Sequence, residues 1–124
     1  RGPDYAQFLQ ALFSGSSDPT CAALNCLTRI RMCRASGEPE YGYSGPPERA
    51  PEGLIPWYSM SRALAAERTV YFGHWAALGH RAVPGAISLD GGCVWGNQLI
   101  AVRTSDGQMT SVECVDGDRY SSPN

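Results

Sequence analysis

The chain has 124 residues, a formal net charge of −2 and 43% hydrophobic content. That length bounds it to one domain, burying roughly 65–70% of its unfolded surface. The slightly acidic balance argues against nucleic-acid and anionic-membrane partners.

Pro3 and Asp4 open a predicted helix in which Tyr5, Phe8, Leu9, Leu12 and Phe13 share one face, and Gly15 closes it. The aromatic stripe is read as core in preference to a docking face. Asp18 then acts as N-cap with Pro19 at the first helical position, and a second helix is expected to about Thr28. In "RIRMC" apolar and polar residues alternate, as in a strand with Arg29 and Arg31 on one face. A salt-bridged surface and a phosphate site are equal readings of that pair. Every basic residue of the chain is an arginine, so an anion here would be gripped by guanidinium forks.

"RASGEPEY" supplies a hairpin turn. Gly42 to Pro56 is rich in glycine and proline, which excludes a helix or a central strand. Trp57 and Tyr58 at its end favour an ordered loop over a site rather than a free linker. "MSRALAAER" reads as a short helix. Strands are expected at Thr69–Phe72, Ala86–Leu89 and Gln98–Thr104, with "SDG" turning into Gln108–Val115 and a polar tail after it.

The five cysteines, at 21, 26, 33, 93 and 114, are odd in number and contain no C-x-x-C pair. A zinc ribbon or a cysteine-based redox protein is disfavoured, and the thiols are expected to be reduced in a cytoplasmic setting. No apolar run approaches the ~20 residues of a membrane span. Because the first residue is Arg1, the chain is expected to be a processed product or a fragment.

In "TVYFGHWAALGH" the first of two histidines, His74, follows a strand and a glycine. Loops just past strand ends present reactive groups on a rigid scaffold, and Gly73 leaves room for close backbone approach. His80 is read as a loop residue. "SLDGGCVWGN" is a turn bracketed by Gly91, Gly92 and Gly96, in which Asp90 is turn-forming before it is a ligand. From the residues alone the result is a mixed α/β domain with one candidate phosphate site and one candidate metal ligand. A catalytic metal needs three or more protein ligands.

Four segments in order, "LNCLTRIRMC", "APEGLIPWY", "TVYFGHWAALGH" and "AISLDGGCVWGNQLIAVRTSDG", strongly resemble the C-terminal part of the symmetrical diadenosine tetraphosphatases, members of the calcineurin-like metallophosphoesterases. The likeness runs in order from about Ala22 to Cys114, and more loosely back to Pro3. It implies an α/β (α+β) chain forming the C-terminal part of an αββα sandwich, with two N-terminal helices and a mostly β second half. It further implies two divalent metals such as manganese or cobalt, and hydrolysis of diadenosine tetraphosphate to two ADP. By resemblance, His74 is a metal ligand and Arg29 and Arg31 contact phosphate. Trp57, Tyr58 and Trp75 are candidate adenine contacts, with core packing an equal reading.

The family's other metal motifs (D-x-H-G, G-D-x-x-D-R-G, G-N-H-[DE] and H-A-G) do not occur, and its "LDTG" is "LDGG" here, with Gly91 in place of threonine. The chain alone is therefore expected to be metal-free and inactive, completed by a missing N-terminal half. No catalytic residue is assigned. The alternative expectation is a non-catalytic, self-associating module that at most binds nucleotide or phosphate.

Overall fold

The computed structural model of the protein describes residues 18–60 and 68–115. The helix expected over Pro3–Gly15, the body of the "MSRALAAER" segment and the polar tail lie outside the described residues. What is described is a mixture of helix and small sheets, in agreement with the mixed α/β class.

Helix α1 (Pro19–Arg29) starts where its sequence dictates. The Asp18 carboxylate accepts from the Thr20 and Cys21 amides at 2.7 and 3.2 Å, and Pro19, which lacks an N–H, wastes no donor in the first turn. The helix runs through Arg29, and extended backbone begins only at Ile30. Strand β1 (Met32–Arg34) follows, so Arg29 and Arg31 do not share a strand as the alternation suggested. The physical reason is continued helical spacing: Arg29 Nη1 donates to Asn25 Oδ1 at 3.2 Å, one turn back.

Strand β1 is central in an antiparallel sheet, flanked by β2 (Pro39–Glu40) and β3 (Leu54–Pro56). The Gly- and Pro-rich stretch thus ends as an edge strand, a position where proline's missing donor is tolerated. Helix α2 (Trp57–Met60) leaves β3 directly. A second sheet has the order β4 (Val70–Phe72), β6 (Ala86–Ser88), β5 (Arg81–Val83), with β4 parallel to β6 and β5 antiparallel to it. Strand β5 was not anticipated, although Pro84–Gly85, with Gly85 at φ 80°, is a strong hairpin signal in retrospect. The third sheet is the hairpin β7 (Gln98–Val102) and β8 (Met109–Glu113).

The core lies between the first two sheets. Met32, Trp75 and Leu78 are buried, with Tyr43, Leu54, Trp57, Tyr58 and Phe72 packed around them. Trp57 meets Phe72 edge-on, centroids 5.1 Å apart, a favoured aromatic arrangement. The Trp75 indole N–H donates to Gly45 O at 2.9 Å, so the Gly- and Pro-rich loop is pinned to the core at its middle.

Hairpin β7–β8 is different: every residue of β8 is exposed. An isolated two-stranded hairpin is marginal in water. It is tied down by a disulfide between Cys93 and Cys114, which corrects the expectation that all five thiols are reduced; Cys21, Cys26 and Cys33 are free. Bridging residues 21 apart in sequence stabilises by on the order of 3 kcal/mol in the loop-entropy description. No helix among the described residues is long and apolar enough to cross a membrane.

Gly91 sits where β7 begins. A Cβ there would lie 2.2 Å from Gln98 O and 2.8 Å from Ile100 Cγ1, so no side chain fits without displacing the strand. Gly91 therefore admits a close backbone crossing that any Cβ would block. Gly91→Thr is expected to lower the unfolding free energy by about 2–4 kcal/mol in urea titrations. Gly73→Ala, where the added carbon meets nothing within 4 Å, is expected to stay within about 0.5 kcal/mol of the parent.

Candidate functional site

His74 lies between β4 and β5 with φ 63°, the only described non-glycine residue in the left-handed region. Such a conformation is uncommon for a residue with a Cβ and persists only where surrounding contacts over-determine it. The glycine before it does not carry the positive φ and is not approached by other backbone, contrary to the expectation for Gly73. The turn is made by the histidine itself.

Two charged side chains fix it. Arg31 Nε donates to the His74 carbonyl at 2.9 Å, and Asp90 Oδ2 accepts from the next amide, that of Trp75, at 2.7 Å. One peptide group is thus held at both ends by opposite charges, and hydrogen bonds to charged groups are worth more than neutral ones. Asp90 Oδ1 also accepts from the Gly92 amide at 3.1 Å, so this carboxylate both forms its own turn and reaches across to the loop after β4. Arg31 Nη2 lies 3.5 Å from His74 Nε2.

Arg29 is held differently. Its guanidinium stands over the Tyr41 ring, 5.6 Å from the centroid, and beside Asn25. It still acts on the site through its field: the His74 imidazole is pushed below its ordinary 6.5, first by desolvation, then by the Arg31 and Arg29 charges, against a smaller opposing pull from Asp90. Arg31 is itself lowered by desolvation and by Arg29, again opposed by Asp90. Two guanidinium groups and one carboxylate thus act on the same imidazole.

Cavities open on both sides of His74. One, of about 610 Å³, is lined by Arg31, Ser44, His74, Asp90, Trp95 and Asn97. The other, of about 620 Å³, is mainly apolar and includes Ile30, Trp57, Phe72 and His74. Of the aromatic candidates, Trp57 lines the apolar cavity and Tyr58 is half-buried in the core. Trp75 is 1% exposed, so neither face of its ring is open to an adenine; its indole spans the core to reach Gly45. Ser44, Asn97 and Trp95 were not singled out as site residues from the sequence. The last two lie in the glycine-bracketed segment that was recognised as a turn.

Among the described residues, no three His, Cys, Asp or Glu side chains cluster as a metal site would require. A neutral imidazole suits a divalent metal, and Asp90 in the same cavity wall already accepts from the Trp75 and Gly92 amides. The described residues therefore do not form a metal centre by themselves.

No family model matches the chain. It is similar to symmetrical bis(5'-nucleosyl)-tetraphosphatases: 38% identical over 130 residues to that of Burkholderia pseudomallei (strain 668), covering 92% of this chain and 45% of the relative. The Bordetella pertussis (strain Tohama I) protein is 37% identical over 134 residues, covering 100% and 47% respectively. The chain thus spans about half the length of the curated relatives it matches. A crystal structure of a protein provisionally described as a diadenosine tetraphosphatase superposes with a TM-score of 0.53 at 31% identity, covering 73% of this chain and 37% of that one.

The depressed imidazole has a measurable sign. Folded His74 binds fewer protons than the unfolded chain between its own midpoint and 6.5, so its contribution to stability is complete above 6.5 and is lost as pH falls through that window. Proton NMR of the ring is expected to give a midpoint below 6.5, moving upward in Arg31→Met as one positive neighbour is removed. A midpoint unmoved by that substitution would contradict the electrostatic account.

Proposed function

From its kinship with the symmetrical bis(5'-nucleosyl)-tetraphosphatases, about half of whose length it matches, we propose that this chain forms part of the site of a phosphoanhydride hydrolase. In the complete protein the reaction would be the cleavage of diadenosine tetraphosphate by water to two ADP. The observation that carries this reading is the Arg31–His74 pair, 3.5 Å apart in the wall of one cavity of about 610 Å³.

Arg31 is already oriented by its bond to the His74 carbonyl, and its Nη2 lies 3.5 Å from the imidazole Nε2. A phosphate there would meet a guanidinium whose rotamer is set before binding, which lowers the entropy cost of capture. Arg29, at the end of α1, adds field rather than contact. His74, favoured in its neutral form, is in the protonation state a metal requires, and we assign it as one ligand of a divalent ion. The remaining ligands would come from the part of the relatives that this chain does not match. Bound metals of this kind polarise phosphoryl oxygens and generate hydroxide at neutral pH. The three small sheets would then belong to an αββα sandwich, with the present chain as its C-terminal portion.

A second reading draws on a separate observation. Leu99 and Val112 are paired across β7 and β8 and are 65% and 64% exposed. An uncovered apolar pair on a sheet face fits a non-catalytic module that associates with itself and binds phosphate without turning it over.

The test joins this chain to the unmatched half of the Bordetella pertussis relative and assays the folded product with diadenosine tetraphosphate and manganese. ADP is the expected sole nucleotide product. His74→Ala is expected to lower turnover by about two orders of magnitude and to reduce bound metal measured by plasma mass spectrometry. Full activity and unchanged metal content in that variant would overturn the assignment of His74.

A further inference from the structure

Trp95 is 58% exposed. Tryptophan is highly buried on average, and the other two in this chain conform: Trp75 is enclosed, and Trp57 packs edge-on against Phe72. Trp95 is exposed on a support that is anything but loose. It ends a 3-10 turn, Cys93–Trp95, bracketed by Gly92 and Gly96 at φ 71° and 88°. The Trp95 and Asn97 amides both donate to Gly92 O, at 2.9 and 3.2 Å. Cys93, two residues before it, is bonded to Cys114 on the far side of the hairpin. The turn therefore loses little further freedom when something lands on it.

The same cavity that Trp95 lines has Arg31 and His74 in its wall. A flat aromatic surface and a guanidinium facing one space are the two elements a nucleotide needs, one for its base and one for its phosphate. We propose that Trp95 is the stacking platform for the nucleobase of a nucleotide whose phosphates lie at Arg31 and His74. This rests on the anion-binding reading of the site and adds to it a base subsite, outside the core aromatics Trp75 and Tyr58. Stacking tolerates any base, because every base has a π-face, so the subsite selects nucleotides over bare phosphates more strongly than one base over another.

The experiment is isothermal calorimetry on the 124-residue chain with ADP and, separately, pyrophosphate, for the parent, Trp95→Leu and Trp95→Phe. Circular dichroism confirms that each variant is folded. The parent is expected to bind ADP more tightly than pyrophosphate. Trp95→Leu is expected to weaken ADP roughly ten-fold while leaving pyrophosphate within about two-fold, and Trp95→Phe is expected to restore most of the difference. Equal ADP affinity in the parent and Trp95→Leu, with pyrophosphate still bound, overturns the platform and leaves the anion site standing. Failure of the parent to bind either compound overturns both. Saturation-transfer NMR gives an independent reading: enhancement at the adenine protons that disappears in Trp95→Leu supports the stack.

Discussion

The peptide group between His74 and Trp75 is the constraint on which the rest of this structure depends. Its carbonyl accepts from Arg31 and its amide donates to Asp90, so a cation ahead of β1 and an anion after β6 meet on one backbone unit. Neither bond is local: they join positions 43 and 15 residues apart. The left-handed backbone of His74 is what allows its imidazole and the next residue's indole to part company. The indole goes into the core and the imidazole stays at the surface between two cavities. A cost on the order of 1–3 kcal/mol for such a conformation is offset by two charge-assisted hydrogen bonds and by the burial of Trp75.

From that unit the architecture can be followed outward. Trp75 reaches Gly45 and so holds the Gly- and Pro-rich loop against the sheets. Asp90 ties the β4 end to the turn that carries Trp95, and the disulfide ties that turn to the end of β8. Charge follows the same route. Desolvation first, then the Arg31 and Arg29 charges, lower the imidazole's pKa against the pull of Asp90, in the wall of a cavity that Trp95 also lines. Positioning and electrostatics are thus two consequences of one set of contacts.

Much of this was legible in the sequence where the signal was local. Asp18–Pro19 specified the start of α1, "SDG" specified the β7–β8 turn, and the cores of four predicted strands fell where expected. The errors arose where local signals competed or where the deciding partner was distant. Alternation in "RIRMC" competed with an Asn25–Arg29 helical pair, and the helix won by one more residue. Nothing near Trp75 or Trp95 in the sequence says which indole is buried, because that depends on Gly45 and on the left-handed turn at His74. The Cys93–Cys114 pairing was hidden for a similar reason. It follows from the register that sets Gln98 opposite Glu113, together with the 3-10 turn that brings Cys93 back toward the strand end. His74 could be singled out early because its setting, strand then glycine then histidine, lies in adjacent residues.

The most direct measurement is the affinity of Asp90→Ala for pyrophosphate by calorimetry, alongside hydrogen exchange at the Trp75 amide. Asp90 spends both oxygens on backbone amides, so its effect on anion binding runs through the clamp as well as through charge. Removing a negative charge from a cavity should by Coulomb's law alone strengthen anion binding. If the clamp positions Arg31 and His74, the variant instead binds pyrophosphate more weakly, and the Trp75 amide loses its protection. Tighter binding with the amide still protected would mean that the site is organised by something other than this peptide group.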